Sequence, residues 1–123
     1  MAKKHVLVVD DSAFIREMIG KILDKLGFDC SKASGGVEAL TLADRYVPDA
    51  VVLDVNMPNV DGLQVLGKLR QDERFKDTTI IMLSGVKDEE IIKTSIRGKA
   101  TGYILKDDPM EIMKRLGGLL ADL

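Results

Sequence analysis

Five short apolar runs recur along this chain, and each is followed by a stretch whose apolar residues keep helical spacing. No other feature restricts the fold as tightly. The first run, His5 to Val9, is apolar on both faces, as a strand buried on both sides of a parallel sheet requires. Ile15, Met18, Ile19, Ile22, Leu23 and Leu26 then mark a helix, opened by Ser12 or Asp11 and closed by Gly27. Phe28 to Lys32 reads as a weaker strand whose polar residues suit a sheet edge. After Ser34-Gly35-Gly36 a second helix runs through Leu40 and Ala43 and stops before Pro48. Ala50 to Leu53 is a third strand, again of the buried type. Asn56 to Gly62 (NMPNVDG) is a loop by composition, and Leu63, Val65, Leu66 and Leu69 mark a third helix. Thr79 to Leu83 is a fourth strand. Ile91, Ile92, Ser95 and Ile96 mark a fourth helix between Asp88 and Gly98. Gly102 to Leu105 is the fifth strand. Asp108-Pro109-Met110-Glu111 opens the last helix with an N-cap acid, Pro at N1 and Glu at N3. Gly117-Gly118 inside that helix costs roughly 1 kcal/mol per glycine against alanine, and marks either close packing or fraying.

Strand and helix alternating in this way force a parallel sheet with right-handed crossovers and helices on both faces. The expected architecture is therefore α/β: a doubly wound, five-stranded parallel sheet of strand order 2-1-3-4-5. At 123 residues the chain is expected to be one domain, 1–123. Its composition, 46% hydrophobic and 31% charged, is enough for both a core and a polar surface. A net charge of −2 gives no general pull toward nucleic acid or an anionic membrane, so neither is an expected partner. The single Cys30 forms no internal disulfide and no zinc site by itself, and between Asp29 and Ser31 it reads as a half-buried structural thiol. No apolar run approaches the roughly 18 residues of a membrane span, and no signal-peptide core follows Met1 to Lys4. A reducing, cytoplasmic setting is expected.

In open α/β sheets ligands bind beyond the carboxyl ends of the strands. Here the first strand ends in Asp10-Asp11, the third in Asp54, the fourth in Ser84 and the fifth in Lys106. In the order 2-1-3-4-5 the switch point falls between the first and third strands, where the acids are. Three crowded carboxylates repel one another and call for a cation. Oxygen ligands favour a hard divalent ion, and Mg²⁺ suits best because it also binds phosphate oxygens. Lys106 and the metal can flank a phosphoryl group, with Ser84 bonding one of its oxygens. Asp54, alone at a strand end beside the cation-binding pair, is the best nucleophile. Each residue also has a plain alternative: a turn acid at Asp54, a helix cap at Asp10-Asp11, a turn at Ser84-Gly85, a solvated Lys106. Those alternatives do not explain why all four fall at strand ends on one rim.

These residues resemble a response-regulator receiver domain of the chemotaxis (CheY-like) type, which has a flavodoxin-like (βα)5 fold. The resemblance runs from the first strand to the last helix and rests on VLVVDDS (6 to 12), VVLDVNMPNVDG (51 to 62), TIIMLS (79 to 84) and YILK (103 to 106). It implies that Asp54 is the phosphoacceptor and that Asp11 and Asp54 bind Mg²⁺ through their side chains. Asn56 would bind the ion through its backbone carbonyl and Asp10 mostly through a metal-bound water. Ser84 matches the hydroxyl that moves toward the phosphoryl group, Lys106 the basic residue of the pocket, and Tyr103 the aromatic that changes rotamer. The implied partners are a sensor histidine kinase or phosphotransfer protein, and an output protein or effector domain bound by the face of helix four, strand five and helix five. Two phosphorylated copies can pair through the same face. The implied chemistry is self-catalysed phosphorylation and dephosphorylation, without turnover of an external substrate.

The chain departs from the family pattern after Lys106, where Asp107-Asp108 replace the usual proline. The two acids offer the ammonium an alternative to the pocket, and the helix cap stands in for the proline as the local constraint. Gly85 replaces a common alanine, and an apolar Val86 is expected to slow hydrolysis of the acyl phosphate. Three rival functions are weaker. A phosphohydrolase resembling the haloacid-dehalogenase group needs a second Asp where Asn56 stands. A dead-pocket interaction module needs acids or the lysine to be missing. An FMN protein needs a phosphate loop after the first strand, and more aromatics than this chain has.

Overall fold

A computed structural model describes residues 3–123. The elements are β1 (His5–Val9), α1 (Ala13–Lys25), β2 (Asp29–Ala33), α2 (Gly36–Tyr46), β3 (Ala50–Asp54) and α3 (Gly62–Gln71), followed by β4 (Thr79–Ser84), α4 (Glu89–Arg97), β5 (Gly102–Leu105) and α5 (Pro109–Leu119). A single 3-10 turn, Glu73–Phe75, follows α3. All strands are parallel, in the order β2-β1-β3-β4-β5. This is the expected doubly wound sheet.

Alternation along each strand splits the core in two. Leu7, Val9, Val51, Leu53, Ile80 and Met82 face α2 and α3, packing on Ala39, Ala43, Val65, Leu66 and Leu69. Val6, Val8, Val52, Ile81, Leu83 and Ile104 face α1 and α5, packing on Ile19, Ile22, Leu23, Ile112 and Leu116. Both faces of the central strands are therefore dry, which is why their sequences read as unbroken apolar runs. α4 buries only Ser95 fully, so it is the helix least committed to the core.

The caps explain where the helices begin. Ser12, not Asp11, caps α1: its Oγ accepts from the Ile15 N–H at 3.3 Å. Gly27 follows α1 with φ +91°, a left-handed conformation that favours glycine. At α5, Asp108 Oδ1 accepts from the Met110 N–H at 3.0 Å, with Pro109 at the first helical position. The expected reach-back by Glu111 is replaced: the Asp108 N–H donates to Asp107 Oδ1 at 2.8 Å instead. A closed capping box forms at α3, between Asp61 and Gln64. At the end of α4 the left-handed residue is Lys99 (φ +65°), not Gly98. Gly98 instead makes room, since a Cβ there would lie 2.8 Å from Leu66 Cδ2. α5 continues through Gly117-Gly118 to Leu119, so the pair does not end it. Neither glycine is crowded: a Cβ on Gly117 would meet Leu26 at an ordinary 3.8 Å, and one on Gly118 would meet nothing within 4 Å. Cys30 is half-buried, and burial pushes its thiol up, away from the reactive thiolate.

Candidate functional site

The carboxyl ends of β1, β3, β4 and β5 bring the expected side chains together. Asp10 (0% exposed) follows β1 and Asp54 (2% exposed) ends β3, while Asp11 stands at the exposed lip. A carboxylate oxygen from each of the three lies within 4.8 Å of the others. Lys106 Nζ enters between them, 2.7 Å from Asp10 Oδ2 and 2.9 Å from Asp54 Oδ1. The acids at 107 and 108 therefore do not draw the ammonium away, because both are spent on the start of α5. The Lys106 backbone is tied down as well, its N–H donating to the Ser84 carbonyl at 2.8 Å.

Three carboxylates stand against one ammonium, which pairs with Asp10 and Asp54. Burial pushes the Asp54 carboxyl up to about 6; Lys106 pulls it back, and Asp10 adds to the rise. Burial works to lower the Lys106 ammonium, but the hydrogen bonds and charges of Asp10 and Asp54 outweigh it and lift it above its ordinary value. Asp10 Oδ1 accepts from the Ser12 N–H at 2.9 Å. Apart from the ion pair with Lys106, the buried Asp10 Oδ2 has no hydrogen-bond partner among the described residues. An under-satisfied buried oxygen inside an all-oxygen, net-negative cluster fits a hard divalent cation.

Asp54 is placed by its loop. Its Oδ1 accepts from the Asn56 N–H at 3.2 Å, and the Gly62 N–H donates to the Val55 carbonyl at 2.9 Å. Val55 and Met57 are buried and anchor the loop in the core. Gly62 touches the site directly: a Cβ there would collide with the Asp54 carbonyl oxygen.

Ser84 is fully buried, but its hydroxyl is turned into its own loop. Its Oγ donates to the Val86 carbonyl at 3.0 Å and accepts from the Val86 N–H at 3.3 Å. The hydroxyl of the half-buried Tyr103 donates to the same carbonyl at 3.1 Å. Both residues picked out as movable from the sequence thus converge on one backbone acceptor. Two contributors were not apparent from the sequence: that carbonyl, and Arg16, whose Nη1 donates to the Asp10 carbonyl at 2.8 Å. The one signal for Arg16 was its place four residues after the capping Ser12, in the first turns above the acidic pair.

A parallel sheet that gathers three acids and one ammonium at its switch point defines an α/β domain whose acid cluster could hold a divalent cation. The family model for the response regulator receiver domain matches residues 6–117, and the chain belongs to that family, whose members work in two-component systems and are phosphorylated on an aspartate. The chemotaxis protein CheY of Halobacterium salinarum is 35% identical over 103 residues, covering 84% of this chain and 84% of the relative. The phosphate regulon transcriptional regulatory protein PhoB of Pseudomonas aeruginosa is 34% identical over 121 residues, covering 98% of this chain and 53% of the relative. This chain spans about half the length of PhoB and of the probable transcriptional regulators ycf27 that it also matches. The solved structure of the Vibrio cholerae chemotaxis protein CheY4 superposes with a TM-score of 0.89 at 33% identity, covering 97% of this chain and all of that one. Among the described residues no helix is long and apolar enough to cross a membrane.

Proposed function

We propose that Asp54 accepts a phosphoryl group from a phosphohistidine on a sensor kinase or phosphotransfer protein, or from a small phosphodonor, and that the change is read at the face of α4, β5 and α5. One observation carries this reading. Among the described residues the bonds to the Asp54 carboxylate fall on Oδ1, from Lys106 and Asn56, which leaves Oδ2 for attack. Oδ2 attacks phosphorus, the bond from phosphorus to the donor breaks, and the donor leaves with the electron pair. The chain itself supplies the catalysis for this step and for later hydrolysis of the acyl phosphate by water. Asp11, Asp54 and the Asn56 carbonyl would hold Mg²⁺, with Asp10 bonding through a water. When bound, the ion neutralises charge on the phosphoryl oxygens. Lys106 already touches both Asp10 and Asp54, and neutralises the rest.

Ser84 turns from the Val86 carbonyl to a phosphoryl oxygen, leaving Tyr103 as that carbonyl's remaining side-chain donor. The loop after β4 shifts, and with it the groove of ≈ 260 Å³ that Lys87, Ile92, Tyr103, Glu111 and Arg115 help to line. Such a switch works only if the phosphoryl group binds the shifted arrangement better. The output is an effector domain or a separate protein docking on this face, or a second copy pairing through it. Phe14 and Met110, each 75% exposed in the first turns of α1 and α5, give the phosphodonor protein an apolar footing beside the rim. The cytoplasm, where such kinases present their phosphohistidine, is the proposed setting, and residues 1–123 the proposed receiver unit.

The central claim is tested by intact mass after incubation with acetyl phosphate and Mg²⁺. The wild type gains one base-labile phosphoryl group and Asp54→Ala gains none; equal labelling of both refutes the assignment. A second expectation concerns Val86, which is 58% exposed beside Ser84. Its apolar side chain keeps water from being activated near the acyl phosphate, so Val86→Glu should dephosphorylate several-fold faster. Matching decay rates in the two proteins would remove that role.

A further inference from the structure

The acidic pair sits on a corner of three residues, Asp10-Asp11-Ser12, between the end of β1 and the start of α1. The Asp10 N–H is held by the Ala33 carbonyl at 3.1 Å, and Asp10 Oδ1 by the Ser12 N–H at 2.9 Å. The Asp10 carbonyl lies beyond β1 and before α1, and it is taken by a side chain. Arg16 Nη1 donates to it at 2.8 Å, a short, charge-assisted bond. Arg16 is half-buried on α1, where its own N–H makes the ordinary helical bond to the carbonyl of the capping Ser12 at 3.0 Å. None of the ion pairs among the described residues uses Arg16. A surface arginine is ordinarily solvated or paired with a carboxylate. This one is set against a backbone carbonyl at the corner that carries two of the three clustered acids.

We propose that Arg16 is a positioning residue for the cation site: it clamps the Asp10 carbonyl and so fixes the corner that presents Asp10 and Asp11 to Asp54. The proposal rests on the reading of this cluster as the Mg²⁺ site. It makes a prediction whose sign separates it from simple electrostatics. A guanidinium beside a cation site repels the cation, so charge alone predicts that removing it tightens Mg²⁺ binding. A positioning role predicts the reverse, because ligands whose supporting bonds are cut lose their pre-set arrangement.

The test is calorimetric titration of the full chain with Mg²⁺, comparing wild type with Arg16→Gln, Arg16→Lys, Asp11→Asn and the exposed control Lys21→Gln. Arg16→Gln should weaken Mg²⁺ binding by about tenfold or more, the scale seen when supporting bonds behind metal ligands are removed. Arg16→Lys keeps the charge and an N–H donor but loses the planar fork, and should fall between the two. Lys21→Gln should bind as wild type does. Unchanged or tighter binding by Arg16→Gln overturns the proposal. Where Arg16→Gln does not unfold cooperatively without metal, Arg16→Lys decides, and wild-type affinity there overturns it too. No Mg²⁺ binding by wild type, or equal binding by Asp11→Asn, refutes the metal site itself, a result distinct from the failure of Arg16 alone.

Discussion

Gly62→Ala should cost this domain about 3 kcal/mol or more, well beyond an ordinary glycine substitution in a first helical turn. An ordinary glycine-to-alanine change at a helical position is favourable by up to about 1 kcal/mol. Here the added Cβ runs into the Asp54 carbonyl oxygen and comes within 2.9 Å of Val55 Cα. Both obstacles are backbone, so no rotamer change relieves them. β3 cannot retreat as a whole, since Ala50 to Leu53 are buried and paired on both sides; Asp54 is paired only with β4. α3 cannot retreat easily, since Val65, Leu66 and Leu69 are embedded in the core. The relaxation that remains is a shift at the end of β3, which moves Asp54 relative to Lys106. Gly62→Ala should therefore lose acetyl-phosphate labelling under conditions where it is still folded. Denaturant unfolding and intact mass check the two parts. A variant within about 1 kcal/mol of wild type that labels normally would mean that the contact is easily relieved.

The second large effect is a gain in stability. The Asp54 carboxyl is raised from 3.8 to about 6 in the metal-free fold, with burial as the main cause. The folded state thus binds this proton more tightly than the unfolded chain does. Its contribution to stability is complete below about pH 3.8 and is lost as the pH rises toward 6. Above that range the buried charge weighs against folding by about 1 to 3 kcal/mol, the upper figure being the full shift converted to energy. Asp54→Asn removes the charge with little change of shape and leaves Lys106 paired with Asp10 at 2.7 Å. In chelator at pH 7.5 it should raise the Tm by about 4 to 10 °C, with the gain fading toward pH 4. Mg²⁺ should close the gap by stabilising wild type, which it binds in the folded form. An Asp54→Asn protein no more stable than wild type in chelator at pH 7.5 would show that Lys106 already offsets the cost.

The strands and helices were legible because each is specified by local spacing: apolar runs such as Val6 to Val9 for buried strands, and three-to-four-residue recurrence for the helices. The rim was legible for the same reason, since a residue that follows a parallel strand must stand at its carboxyl edge. This brought Asp10, Asp11, Asp54, Ser84 and Lys106 to one place before any contact was known.

Which partner each side chain takes was not legible, because that depends on what lies across the sheet or in the adjacent loop. Lys106 stands beside two acids in sequence, yet it pairs with Asp10 and Asp54 on neighbouring strands, while Asp107 and Asp108 cap their own helix. Glu111 carries the pattern of a capping box that Asp107 pre-empts, and Gly98 carries the pattern of a left-handed helix end that Lys99 adopts. The meeting of Ser84 and Tyr103 on the Val86 carbonyl, and the grip of Arg16 on Asp10, join residues brought together only by folding. The sequence by itself determined the order of elements and the edge to which each acid, hydroxyl and ammonium goes, because backbone periodicity and strand polarity are local. Tertiary structure alone decided the rotamers and the sharing of donors among acceptors, because these are settled by competition between groups distant in the chain.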